Sequence, residues 1–315
     1  MKVLTRTEAA AWLQEQNRFC ILTHRRPDGD TIGSAATLCR GLRQLGKFAW
    51  VLENPEVTEK YTPFLSGLCK PEPEAEDTFV CVDVASAGML PAAFAHLEER
   101  IALRIDHHRG ADSFTAFEMV DPKAAACGQI IYDILMQMGA DLDVPMANAL
   151  YTAIATDTGC FRYHNTQPHT LRVAAACAEV SSDLFSLNQM LFETNSFARL
   201  KIQSWMTENA RFYAEGQICI CALPLEVERS IGVTEDDMEN ISGFPRTIAG
   251  VKIAATLRQQ PDGIVKISVR AVPGYDASAV CATFGGGGHR GAAGAHLDMP
   301  LEEAAAAVLA AMPEM

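Results

Sequence analysis

The chain has no apolar run approaching the ~20 residues that a membrane-spanning helix needs. Its first residues lead into a polar, helix-like pattern with no leader-like apolar core. A soluble, cytoplasmic protein with no membrane partner is expected. Basic charge is also scarce: 26 Lys and Arg stand against 39 Asp and Glu, a formal net charge of −13. Long duplex nucleic acid, which needs a basic stripe, is thereby disfavoured. A small anionic substrate is not, because bound divalent ions reverse the local sign. No Cys-x-x-Cys pair occurs among the ten cysteines. Scattered through apolar runs, they read as small core residues in a reducing compartment rather than disulfides or a zinc site. No repeat, low-complexity tract or basic, aromatic-rich stretch is present to track a long single strand.

What is present is alternation. A length of 315 residues fits about two domains. Short apolar strands at 18–23, 48–52, 78–82 and 101–105 are separated by helix-like segments at 7–17, 32–45 and 90–99. Further helices are expected at about 124–138 and from Pro145 to Asp157, the latter opened by proline. This order predicts an α/β fold with a mostly parallel sheet and helices on both faces. Residues 167–213 read as helical almost throughout. Strands then follow at 217–222, 251–259 and 264–272, the last two joined by Pro261-Asp262-Gly263, good hairpin chemistry. Residues 283–294 break all periodicity, and an Ala-rich helix covers 301–312. The expected plan is residues 1–190, a helical linker at 191–215, and a smaller α/β domain at 216–315.

Acids and imidazoles gather at the expected strand ends. His24 leaves the first apolar strand, and Pro27 and Gly29 force a turn that can bring Asp28 and Asp30 beside it. The competing reading is a polar turn with Asp30 or Thr31 as helix cap. Asp83 ends the strand at 78–82, and Asp106-His107-His108 ends the next. Asp157 closes a helix, where a carboxylate meets the negative end of the macrodipole; a metal ion would offset that cost. The carboxyl edge of an open parallel sheet is where such folds bind ligands. Four carboxylates with oxygen and nitrogen donors call for two divalent cations, Mn²⁺ foremost, with Mg²⁺, Co²⁺ or Fe²⁺ as competitors. Two such ions can clamp the attacking and leaving oxygens of a phosphoryl transfer.

His24-x-x-x-Asp28-Gly-Asp30-x-x-Gly-Ser34, Asp83, Asp106-His107-His108 and Asp157 resemble, in order and spacing, the four motifs of the DHH phosphoesterases. The resemblance implies one metal on His24, Asp28 and Asp83, and a second on Asp30, Asp83, His107 and Asp157, with Asp83 bridging. It implies that His108 faces the substrate phosphate as donor or general acid, and that Asp106 orients an imidazole. Residues 1–190 would be the catalytic domain. Where the family often has Asn shortly after the histidines, this chain has Arg109-Gly-Ala-Asp112, which leaves Arg109 as a phosphate contact or a solvated cation.

Gly286-Gly287-Gly288-His289-Arg290 can be a flexible loop, or an anion-binding nest of side-chain-free amides flanked by two phosphate-holding side chains. The run to Gly294 resembles the Gly-Gly-Gly-His-x-x-Ala-Ala-Gly motif of the DHH-associated domain, first type, which would make residues 216–315 the substrate-binding domain. Arg258 and Arg270, on the preceding strands, are either exposed cations or phosphate or base contacts. Size and plan resemble the nano-RNase/pAp phosphatase group. The expected activity is Mn²⁺-dependent hydrolysis of short oligoribonucleotides to 5′-mononucleotides and of pAp to AMP. Alternatives are a cyclic di-AMP or pApA phosphodiesterase, and an inactive nucleotide-binding regulatory module, which predicts a missing ligand. The expected partners are short single strands, pAp or cyclic-dinucleotide-derived substrates, and a homodimer is compatible with this plan.

Overall fold

A computed structural model describes residues 1–108 and 113–314; the Arg109 expectation lies outside them. The chain divides into two compact units, Met1–Thr194 and Asn195–Met315.

The first unit runs β1 (Lys2–Val3), α1 (Arg6–Glu15), β2 (Arg18–Leu22), α2 (Gly29–Gln44), β3 (Phe48–Leu52), β4 (Cys69–Lys70), β5 (Thr78–Val82), β6 (Ile101–Asp106) and β7 (Phe117–Val120). It continues with α3 (Cys127–Met138), α4 (Val144–Asp157), α5 (Pro168–Val180) and α6 (Leu184–Asn188). Among the described residues the seven strands form one sheet, ordered β1-β7-β6-β5-β2-β3-β4, and every pairing is parallel. The chain builds outward from β2 through β3 to β4, then returns to β2's other side with β5. The β2/β5 junction is therefore the topological switch point, where open parallel sheets leave a crevice at their carboxyl ends.

Period-two alternation splits each strand between two cores. Phe19, Ile21, Val80, Val82, Leu103 and Ile105 pack with α1, α2 and α3. Cys20, Leu22, Phe79 and Cys81 pack on the other face with Phe94 and Leu97. The α-helices thus lie on one side, with α4 and α5 sharing a further apolar cluster. The opposite face is covered by a 3₁₀ stretch, Ala92–Arg100, where a helix at 90–99 is expected. Gly33 sets the approach of α2 to α4. A Cβ there would lie 2.3 Å from the Ala149 carbonyl oxygen and 2.8 Å from Ala153 Cβ.

The second unit runs α7 (Phe197–Glu208), β8 (Arg211–Tyr213), β9 (Ile218–Leu223), α8 (Leu225–Ile231), α9 (Glu235–Met238), β10 (Ile253–Gln259) and β11 (Val265–Ala271). After these come α10 (Ala277–Ala282), β12 (Gly287–His289), β13 (Ala292–Leu297) and α11 (Leu301–Ala310). Its sheet is ordered β12-β13-β11-β10-β9-β8, and only β9–β10 is parallel among the described pairings. Ile202 and Met206 of α7 pack with Cys221 and Leu223 of β9, so part of the segment expected as linker contributes to this core. Gly263, at φ 88°, turns the β10–β11 hairpin. The glycine run is not an open loop: Gly287, Gly288 and His289 pair with Gly294, Ala293 and Ala292 as an edge strand. Cβ atoms at Gly286 or Gly288 would strike β13 backbone at 2.2–2.8 Å. Those two glycines are required by strand packing.

A candidate dinuclear metal centre

Three adjacent strands deliver the site. His24 follows β2, Asp83 follows β5, and Asp106 ends β6 ahead of His107 and His108. From the helical side, Asp28 caps α2 by accepting from the Asp30 and Thr31 amides at 3.0 and 3.2 Å, so the cap is Asp28 rather than Asp30 or Thr31. Thr31 Oγ1 donates to the Val82 carbonyl at 3.0 Å, tying α2 to the strand that carries Asp83. Asp30, 1% exposed, accepts from Ser34 Oγ and from the Cys127 and Gly128 amides at the start of α3. Two helix starts thus fix one carboxylate.

The imidazoles are aimed by their far nitrogens. His107 Nδ1 lies 3.3 Å from the Ala124 carbonyl oxygen and His24 Nδ1 lies 2.7 Å from that of Arg25. Those contacts put the protons on Nδ1 and leave Nε2 a lone-pair donor in both rings. His107 Nε2 lies 3.6 Å from Asp30 Oδ2, 3.5 Å from Asp83 Oδ1 and 3.7 Å from Asp157 Oδ2. His24 Nε2 is 3.6 Å from both Asp28 Oδ1 and Asp83 Oδ2. These separations exceed a good hydrogen bond. They suit donor atoms sharing a cation, since two bonds of about 2.1 Å end about 3.0 Å apart at a right angle and about 3.6 Å apart at about 120°.

Three overlapping groups could each hold a metal: His24-Asp28-Asp83, Asp30-His107-Asp157 and Asp83-His107-His108. Asp83 belongs to two of them and is 2% exposed. Its backbone is left-handed, φ 59°, a strained setting for a side chain with Cβ; its amide bonds to the Ile105 carbonyl oxygen. Buried Oδ1 has no hydrogen-bond partner among the described residues. A buried acceptor left unpaired costs about 1–3 kcal/mol, more if charged. A cation would remove that cost, so the donor set fits the metals expected of it.

The electrostatics are those of a site short of positive charge. Burial, and then the charges of Asp83, Asp157 and Asp28, push Asp30 well above the ordinary carboxyl range. Burial also pushes Asp157 up to about 7, with Asp83 and Asp28 adding to it against His107. For His108, burial opposes the charge, but Asp106, Asp83 and Asp157 outweigh it and raise the ring to about 9. Asp106 Oδ1 accepts from His108 Nδ1 at 2.8 Å and from the His107 amide at 2.8 Å. It hydrogen-bonds both histidines and belongs to none of the three groups above.

One residue absent from the sequence reading is Asn165. Its Nδ2 donates to the Ala125 carbonyl at 3.0 Å and the Asp157 carbonyl at 3.1 Å. It joins the segment that aims His107 and Asp30 to the helix end that carries Asp157. Asn54, also unforeseen, bonds Thr23 Oγ1 and the His24 carbonyl. Both sit in loops of unremarkable composition, with only their polarity as a signal. In the second unit, Arg258 is held by Glu228 in a bidentate pair, both bonds 2.8 Å. Arg270 Nη1 donates to the Val269 carbonyl. His289 is exposed, and Arg290 pairs with Asp276 at 3.1 Å while staying largely exposed.

Residues 18–154 match the model of the DHH family, N-terminal domain, and residues 216–314 that of the DHHA1 domain. The chain is 33% identical over 300 residues to the bifunctional oligoribonuclease and PAP phosphatase NrnA of Thermus thermophilus, covering 93% of this chain and 89% of that one. It is 21% identical to the cyclic-di-AMP phosphodiesterase PdeA of Listeria monocytogenes, over 95% of this chain but 48% of that protein. An exopolyphosphatase-related protein from Bacteroides fragilis has the same fold, with a TM-score of 0.83 at 22% identity, covering 97% and 94% of the two chains.

Proposed function

Because the chain belongs to the DHH family, we propose that its acidic crevice binds two divalent cations and hydrolyses short oligoribonucleotides to 5′-mononucleotides and pAp to AMP. The supporting observation is Asp83 Oδ1, buried without a hydrogen-bond partner among the described residues and 3.5 Å from both His107 Nε2 and His108 Nδ1. Asp83 is the carboxylate that would bridge the ions. His24 and Asp28 would complete one site, and Asp30, His107 and Asp157 the other. Mn²⁺ suits this oxygen and nitrogen set, as do Mg²⁺ and Co²⁺. When bound, such ions polarise a phosphoryl group and acidify water.

The side chains supply the remainder. His108 is held through Nδ1 by Asp106, whose carboxylate favours the charged ring, and in that form its Nε2 can donate a proton to a phosphoryl or leaving oxygen. Asp106 fixes the ring and stabilises the imidazolium. Asp30 and Asp157, whose protonation burial favours, must release their protons for the ions to bind. In the DHHA1 unit, exposed His289 and Arg290 provide phosphate contacts, joined by Arg270; in the first unit, Arg109 is assigned a phosphate contact from its place in the sequence alone. The amides of Gly286, Gly287 and Gly288 flank His289 and Arg290, and Arg258 supports the DHHA1 unit through Glu228. An inactive nucleotide-binding module would lack one of the six donors; all six are present and converge. We assign the reaction to the cytoplasm as part of this proposal.

A metal-stripped sample restored with Mn²⁺ and given pAp, pApA, cyclic di-AMP and a five-nucleotide RNA side by side tests this reading. Turnover of pAp and the RNA is expected. Cleavage of the cyclic compound alone would replace the reading with a cyclic di-AMP phosphodiesterase.

A further inference from the structure

Between Asp157 and α5 the chain makes a turn for which the metal-binding side chains give no reason. Gly159, Cys160 and Phe161 have φ of 56°, 57° and 61°, three consecutive residues in the left-handed region. Two of them carry a Cβ, which disfavours that conformation. The turn persists because it is fastened repeatedly. The Cys160 amide donates to the Ala155 carbonyl oxygen at 2.7 Å, and the Arg162 and Tyr163 amides both donate to that of Thr158 at 3.0 Å. The Phe161 amide donates to Thr158 Oγ1 at 3.0 Å, and Arg162 Nε to the Gly159 carbonyl at 2.5 Å.

The two aromatics of this turn are used differently. Phe161 packs against Tyr151 with ring centroids 5.8 Å apart, and anchors the turn. Tyr163 is left 47% exposed. Its ring lies over Gly159, where a Cβ would come within 2.4–2.7 Å of three ring atoms. The glycine therefore backs one side of a ring that keeps substantial open surface, between exposed Arg162 and His164. Strain held in place beside a reactive centre, presenting a side chain the core does not use, is a mark of a binding function.

We propose that Tyr163 is a base-binding residue, its exposed ring stacking on the nucleobase of the substrate whose phosphate is processed at Asp157 and its neighbours. The inference rests on the nucleotide-phosphoesterase reading and extends it to the base. The bond from the Tyr163 amide to the Thr158 carbonyl keeps its backbone beside the residue that follows Asp157. A ring fixed by its own turn loses little freedom when a base settles on it. Every base has a π face, so such a platform serves pAp and oligoribonucleotides of mixed sequence alike.

The test compares pAp with its base-free analogue, ribose 3′,5′-bisphosphate, using the full chain loaded with Mn²⁺. In Tyr163→Leu the KM for pAp should rise about 5- to 150-fold, the range that base stacking supports. Its kcat should stay within about twofold, bound metal should match the wild type, and the base-free analogue should be handled as by the wild type. Tyr163→Phe and Tyr163→Trp, which keep a ring, should hold the pAp KM within about twofold even if the Leu variant fails to fold. An unchanged pAp KM in the Leu variant would overturn the proposal, as would an equal rise for both substrates or a Phe variant as impaired as Leu. Failure of the wild type to turn over either substrate would count instead against the phosphoesterase reading.

Discussion

At the residue scale, the division of labour follows from which atoms are already bonded. His108 spends Nδ1 on Asp106 and keeps Nε2 for a substrate, whereas His107 spends Nδ1 on a carbonyl and turns Nε2 to three carboxylates. His108→Ala should therefore retain both ions by metal analysis while kcat falls at least about 100-fold, the usual range for a lost general acid. Loss of an ion in that variant would place His108 among the ligands. Asn165→Ala removes the tie between the Ala125 and Asp157 carbonyls. It should weaken one of two Mn²⁺ affinities about 10- to 100-fold, the usual cost of losing an outer partner, with kcat recovering at saturating metal. An unchanged binding isotherm would show the tie to be idle. The converging donors could be read in the sequence because four motifs, each open to a turn or cap reading alone, agree together in order and spacing with one family's pattern. Asn165 and the Ala124 carbonyl could not: one is a loop amide distant in sequence, the other backbone.

At the element scale, the site depends on how closely α2 and α4 approach, because Asp28 and Asp30 open one helix and Asp157 ends the other. Gly33 permits that approach, and the atom a Cβ would meet is a backbone oxygen that cannot rotate away. Gly33→Ala should destabilise by about 1–3 kcal/mol, the usual range for overpacking, visible as a lowered denaturation midpoint in urea. A midpoint equal to that of the wild type would mean the helices separate freely. The alternating strands and Pro145-started helix were legible from periodicity and proline placement. The glycine run was not, since an edge strand made mostly of glycine carries no side-chain pattern and reveals itself only through the β13 backbone it must approach. Nor was the 3₁₀ cover at Ala92–Arg100, whose apolar spacing resembles an α-helix.

At the scale of the molecule, two units and a mostly parallel sheet in the first could be inferred from element order, whereas the strand order and its switch point could not. Nor could the use of α7, because a helix of mixed polarity reads the same whether it links or packs. The assembled charge sets the pH response. Asp30 and Asp157 are raised, Asp157 to about 7, and so are His24 and His108, the latter to about 9. A raised folded-state pKa gives stability that is complete below the unfolded value and lost as pH climbs through the folded one. Asp106, held below the ordinary range, acts oppositely and matters only as pH falls below about 4. Metal-stripped protein should therefore lose thermal stability from pH 6 to pH 9, and saturating Mn²⁺ should raise Tm more at pH 8 than at pH 6. A metal-free Tm that is flat or rising across that range would mean these groups are not crowded as described.

The central claim is that one buried carboxylate joins two cation sites, and titration calorimetry of metal-stripped protein with Mn²⁺ tests it most directly. Wild type should take up two ions per chain. Asp83→Asn, nearly the same size but without the charge, should lose measurable binding at both sites. Uptake of a single ion by the wild type, or two ions held equally well by the variant, would contradict the account.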